Sequence, residues 1–148
     1  MKTKIKNLFN NVHKLAQSDI SNHEQLKHYN ALKLEPIEDA PIGIAIFCDK
    51  NVLSSFTIGT IGNVSTIKWN CAYAVQNLWR TLTAQGYGAG WVSILDYLEF
   101  TKLFDVPESW QTLGYLCVGK PATDYNGQPM LQKEKWKKRT AKPYIKYV

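Results

Sequence analysis

Hydrophobic positions along the chain recur with two periods. In MKTKIKNLFNNVHKLAQ, Ile5, Leu8, Phe9, Val12 and Leu15 fall on one helical face and predict a first helix over about 3–16 that packs on the domain. A second helix is expected over about 22–34, with Ser21 as N-cap and Glu24, three residues on, completing a capping box. Pro36 and Pro41 are expected to close that region. PIGIAIFCD, residues 41–49, shows no polar alternation and reads as a strand buried on both faces. Residues 49–66 are rich in Ser, Thr and Gly and read as a long loop, a kind that is usually functional or mobile. The stripe Cys71, Ala74, Val75, Leu78, Trp79 and Leu82 predicts a helix over 67–85. WVSIL, residues 91–95, reads as a buried strand, Asp96 as the cap of a short helix over 97–104, and LGYLCVG as another buried strand. Gly119, Pro121, Asn126-Gly127 and Pro129 predict an irregular connection to the C-terminus.

Read from pattern alone, these elements make a three-layer α/β domain, and buried strands in such domains are commonly parallel. Three strands form a thin sheet whose edges require cover from a partner chain or a further segment.

Composition narrows the class. A length of 148 residues fits one domain with its own core, and 45% apolar content argues against disorder. No apolar run approaches a membrane span. The N-terminus is basic and amphipathic, but a transit peptide is normally Arg-rich, and there is no apolar core of a secretory signal. Cys48, Cys71 and Cys117 are odd in number, far apart in sequence and set in apolar segments, with no CxxC, so buried free thiols in a reducing cytoplasm are expected rather than zinc or a disulfide frame. His13, His23 and His28 lie in the polar N-terminal region without an HExxH pattern, so solvated helix positions rather than metal ligands are expected. The net charge of +6 is local: residues 133–148 hold seven basic groups and one acidic, while the other 132 residues balance at eleven each. Such a tail fits nonspecific nucleic-acid binding, a solvated face, or a grip on one ligand phosphate by Lys138 and Arg139.

The stretch TAQGYGAGWVSILD places Gly86, Gly88 and Gly90 at alternate positions, a density that suggests a phosphate loop. A dinucleotide loop needs a strand before the glycines and a helix after them, and here that order is reversed. Gly86 is therefore expected as a helix C-cap. What survives is a glycine-flanked strand edge able to lie flat against a planar ring.

In order along the chain, LKLEPIEDAPIGIAIFCD (32–49), AVQNLW (74–79), GYGAGWVSILD (86–96), LGYLCVGKP (113–121) and PMLQKEKWKKR (129–139) resemble the BluB family, the 5,6-dimethylbenzimidazole synthases of the nitroreductase superfamily. The resemblance runs from about residue 30 to 140 within a single domain covering 1–148. It implies an α+β fold, a nitroreductase-like mixed sheet flanked by helices, and an intertwined homodimer with FMN at the interface. It also implies that reduced FMN and oxygen are consumed to make 5,6-dimethylbenzimidazole, the lower ligand of vitamin B12. Carried onto this sequence, Gly90, Trp91, Val92 and Ser93 line the flavin ring, with Ser93 near its reactive centre, and one of Lys137, Lys138 and Arg139, after Trp136, contacts the FMN phosphate. Family chains begin with a segment carrying phosphate-binding arginines and an aspartate used in flavin fragmentation. That segment has no counterpart here, and the acids before residue 30 are Asp19 and Glu24. Aligned without gaps, the family's Met-Pro-Glu-Thr lid falls on Asn63, Val64, Ser65 and Thr66, and an upstream arginine on Thr60, so only the threonine agrees. Three functions are left: a BluB-type flavin enzyme, a nitroreductase-like flavoprotein that only passes electrons, and a non-catalytic degenerate subunit. Nucleic-acid binding by the tail is a distant fourth.

Overall fold

The computed structural model describes residues 1–31, 34–52, 60–122, 130–133, 140 and 144–146. Among the described residues, six α-helices and three strands follow in the order α1 (Lys2–Gln17), α2 (His23–Asn30), α3 (Pro36–Asp39), β1 (Ile42–Asp49), α4 (Thr66–Ala84), β2 (Gly88–Val92), α5 (Tyr97–Leu103), β3 (Trp110–Gly119) and α6 (Met130–Lys133). The fold is α+β.

The strands lie in the order β1-β3-β2, and β3 runs antiparallel to both neighbours. The expectation of parallel pairing therefore fails. Unbroken apolar runs report burial on two faces, not the direction of the neighbouring strand. Here β3 gains that burial by lying between two helical layers. On one face, Ile5 and Phe9 of α1, Ile37 of α3, Leu95 and Phe100 meet Val92, Tyr115 and Cys117. On the other, Val75, Trp79 and Leu82 of α4 meet Ile46, Leu116, Val118 and Trp91. The α4 stripe is narrower than its pattern, for Ala74 and Leu78 remain exposed.

The first helix packs through Ile5 and Phe9 of its stripe, but Leu15 stays exposed, and His13, expected at a solvated position, is buried instead and stacks on Tyr29. Its lysines also tie it down: Lys2 donates to the carbonyls of Glu38 and Ala40, and Lys6 Nζ donates to Leu34 O at 2.8 Å. Two boundary expectations need correction. The second helix is capped by Asn22, whose side chain accepts from the Gln25 N–H at 3.0 Å, not by Ser21. Pro36 opens the one-turn helix α3 rather than ending a helix, because its fixed φ and missing N–H suit the first helical position. Of the expected loop over 49–66, residues 50–52 form a 3-10 turn, 60–65 form turns entering α4, and 53–59 lie outside the described residues.

Candidate functional site

The end of α4 sets the start of the candidate edge. Gly86 has φ +75°, the left-handed conformation expected of a C-cap glycine. The Tyr87 N–H bonds Leu82 O at 2.9 Å and the Gly86 N–H bonds Thr83 O at 3.0 Å. This pair closes the helix in a Schellman turn and delivers the chain directly into β2. The strand consequently spans Gly88–Val92, three residues earlier than expected, and Ser93 lies just beyond it. The Leu95 N–H bonds Ser93 O at 3.0 Å, a tight turn that ends the strand.

Along this edge the side chains part ways. Gly90 is exposed, and a Cβ there would meet no atom within 4 Å. Trp91 turns inward, its indole resting over Gly114 in the α4 layer. Val92 is buried in the opposite layer. Ser93 is exposed. So of the four expected ring-lining residues, Gly90 and Ser93 offer an accessible surface, while Trp91 and Val92 bring only backbone to it. On its outer side, β2 pairs with no other strand among the described residues, leaving alternate N–H and C=O groups free to meet a ligand or partner. Lys138 and Arg139 lie outside the described residues.

Three neighbours complete the picture. Asp96 Oδ1 accepts from the Leu98 and Glu99 N–H groups, each at 3.1 Å, as the N-cap of α5. One oxygen of its carboxylate is thus engaged in holding the start of the helix. Lys120, which no pattern singled out, sits with Nζ 4.1 Å from the Tyr87 ring centroid and brings a cation beside the start of β2. Its signal was the short GKP stretch, too common to stand alone. Behind the strand, burial pushes the Tyr115 hydroxyl above its ordinary range and the Cys117 thiol up to about 11. A thiol so protonated is a poor nucleophile at neutral pH. The residues aligned with the family lid form the entry to α4, with the Ser65 N–H bonded to Asn63 Oδ1 at 2.9 Å and the Thr66 hydroxyl donating to Asn63 O at 3.0 Å. Among the described residues, no cluster of His, Cys, Asp or Glu is placed to hold a metal, and no helix is long and apolar enough to cross a membrane.

A helix-flanked α+β sheet with a glycine-bearing edge strand is the class that fold and site define. The Nitroreductase family model matches residues 2–120. The chain belongs to the nitroreductase family. It is 33% identical over 123 residues to a 5,6-dimethylbenzimidazole synthase of Rhodospirillum rubrum, covering 83% of this chain and 58% of that protein. It is 32% identical over 114 residues to a 5,6-dimethylbenzimidazole synthase of Rhodobacter capsulatus, covering 76% and 54%. Thus the match spans little more than half the length of these curated relatives. A solved nitroreductase-like protein of Streptococcus mutans is similar with a TM-score of 0.46 at 15% identity, covering 90% of this chain and 72% of that one.

Proposed function

We propose that the chain is an FMN-dependent oxidoreductase of the 5,6-dimethylbenzimidazole synthase type, working as a homodimer in the cytoplasm. The observation that carries this reading is the place of GWVSILD in the fold: its first three residues end the edge strand β2 and Ser93 follows in the turn just beyond, so Gly90 leaves room for a ring and Ser93 is exposed beside it. Two curated relatives that align over most of this chain bear that name.

The residues present fit the group. The bare Cα of Gly90 lets a planar ring approach the backbone, which a side chain there would hold away. Backbone groups of Trp91 and Val92 and the Ser93 hydroxyl would hold the ring by hydrogen bonds. The Ser93 hydroxyl both donates and accepts, so it can hold a proton at a ring nitrogen in either redox state. Lys138 or Arg139 takes the phosphate by a charge-assisted bond. When bound, reduced FMN supplies the electrons taken by oxygen and is also the material converted. A second copy covers the outer edge of the thin sheet and shuts water from the ring.

The test is to incubate the chain with reduced FMN in air and separate the products by chromatography. 5,6-Dimethylbenzimidazole is the expected product, formed more slowly than by a chain that carries the family's aspartate, since a positioned acid–base group typically contributes about 10²–10⁴-fold. Oxidised FMN as the sole product sinks the synthase assignment and leaves the electron-passing reading. Failure to retain any flavin on gel filtration removes both.

A further inference from the structure

Two of the three cysteines, separated by 22 intervening residues, meet between β1 and α4. Alternation along β1 puts Ile44 and Ile46 on the α4 face and Ala45 and Phe47 on the other, so Cys48 faces α4. Ile46 and Val75 share one cluster, and Cys71 lies one turn before Val75 on the same face of α4. Both β1 and β2 run antiparallel to β3, and α4 turns back directly into β2, so α4 runs against β1 and a step from Ile46 to Cys48 matches a step from Val75 back to Cys71. The two thiols are close enough for Cys71 to act on Cys48: burial first, then a hydrogen bond with the Cys71 thiol, raises the pKa of Cys48. Cys48 is 1% exposed, whereas Cys71 is half-buried and open to a small reagent.

We propose that Cys48 and Cys71 form a reversible peroxide-sensitive pair, in which Cys71 is oxidised first and Cys48 resolves it to a disulfide joining β1 to α4. The steps balance. The Cys71 thiolate attacks one oxygen of the peroxide, the O–O bond breaks, the other oxygen leaves as hydroxide and takes a proton to become water, and the attacked oxygen stays on Cys71 as a sulfenic acid. The Cys48 sulfur then attacks that of Cys71, its thiol proton leaving with the sulfenic oxygen as a second water. Peroxide is reduced by two electrons and two thiols become one disulfide. The geometry assigns these roles: a reagent from solvent reaches the half-buried sulfur first, and the buried one is left to resolve. Cys117 has no place in the pair. It packs with Tyr115 and Val92 on the opposite face of the sheet, so β3 itself stands between it and α4. The bond would tie the end of β1 to the second turn of α4, fixing both ends of the intervening 49–70 segment. The pair is independent of the flavin reading, because added peroxide is the oxidant.

The full chain is treated with a small excess of hydrogen peroxide, alkylated after denaturation, digested and mapped by mass spectrometry. The expected result is a peptide pair linked through Cys48 and Cys71 within one chain, with free thiols falling from three to one and returning to three after dithiothreitol. Cys117→Ser keeps the linked pair, while Cys48→Ser loses it and leaves Cys71 as sulfenic or sulfinic acid. The wild-type map needs no variant to fold. A link that includes Cys117, links only between chains, or Cys71 oxidised to sulfinic acid in the wild type with Cys48 still free would each overturn the proposal.

Discussion

The indole nitrogen of Trp91 occupies the space that a Cβ on Gly114 would need, only 2.2 Å from it. Gly114 also has φ +152°, and it adjoins Leu113, the residue left unpaired where the β1–β3 register shifts. One position thus serves two demands. The bulge needs a backbone that side-chain-bearing residues rarely adopt, and the inward turn of Trp91 needs a bare Cα.

Gly114→Ala should therefore destabilise the fold by about 3 kcal/mol, from overpacking and backbone strain together. Urea denaturation followed by tryptophan fluorescence measures it. Combining it with Trp91→Leu should recover part of the loss, since the overlap goes while the φ cost stays. Equal losses with and without the indole would show that Trp91 does not press on Gly114.

Local signals made much of the candidate site legible. Gly86 follows a long amphipathic run and Asp96 precedes a short one, and both cap as their chemistry dictates. The strand β1 announces itself by eight residues with little polarity. The failures have physical causes. Ser21 and Asn22 are both good caps and adjacent, so spacing alone did not separate them. The direction of β3 depends on long-range pairing that an apolar run does not encode. Residues meeting across layers, such as Trp91 over Gly114 or Cys48 beside Cys71, leave no mark in sequence spacing. The start of β2 was missed because glycine is a weak strand former, yet an edge strand continuing straight from a Schellman turn accepts it.

Stability should fall between pH 9 and 11. Burial holds the Cys117 thiol protonated until about 11, whereas in the unfolded chain it ionises near its ordinary value of 9.0. Over that window the unfolded state binds fewer protons, so unfolding becomes easier as pH rises. The contribution is fully present below pH 9, and roughly 2–3 kcal/mol of it is lost across the window. Tyr115, also raised by burial, adds in the same direction. Denaturation midpoints at successive pH values should show this slope, and Cys117→Ala should flatten it. An unchanged slope in that variant would place the effect elsewhere.

Ser93 and Asp96 should separate function from structure. Ser93 is exposed, so Ser93→Ala should change stability by less than about 0.5 kcal/mol while lowering turnover of reduced FMN roughly tenfold to a hundredfold. Asp96→Ala should cost about 1 kcal/mol by uncapping α5, and Asp96→Asn should restore most of it. Turnover per folded molecule should be unchanged in Asp96→Asn. A large loss there would give Asp96 a chemical role beyond its cap.

Finally, flavin affinity should depend on the C-terminal cations and on salt. Seven basic residues and one acid lie in 133–148, while the other 132 residues carry no net charge, so attraction for a phosphate dianion is concentrated in that segment. A hydrogen bond to a charged group is worth roughly 1.5–3 kcal/mol, and removing one from a bound phosphate weakens binding by about one to two orders of magnitude. Lys138→Ala with Arg139→Ala should therefore raise the Kd for FMN at least tenfold. Riboflavin, which lacks the phosphate, should bind both proteins alike. Raising salt from 50 to about 500 mM should weaken FMN binding to the parent chain more than to the double variant, because screening acts on the charges that the variant has lost. Fluorescence titration of both flavins against both proteins makes the comparison. An equal loss for riboflavin would mean that the substitutions disturb the fold or the ring site, and an unchanged Kd for FMN would move the phosphate contact elsewhere, with Lys120 beside β2 the next cation to replace.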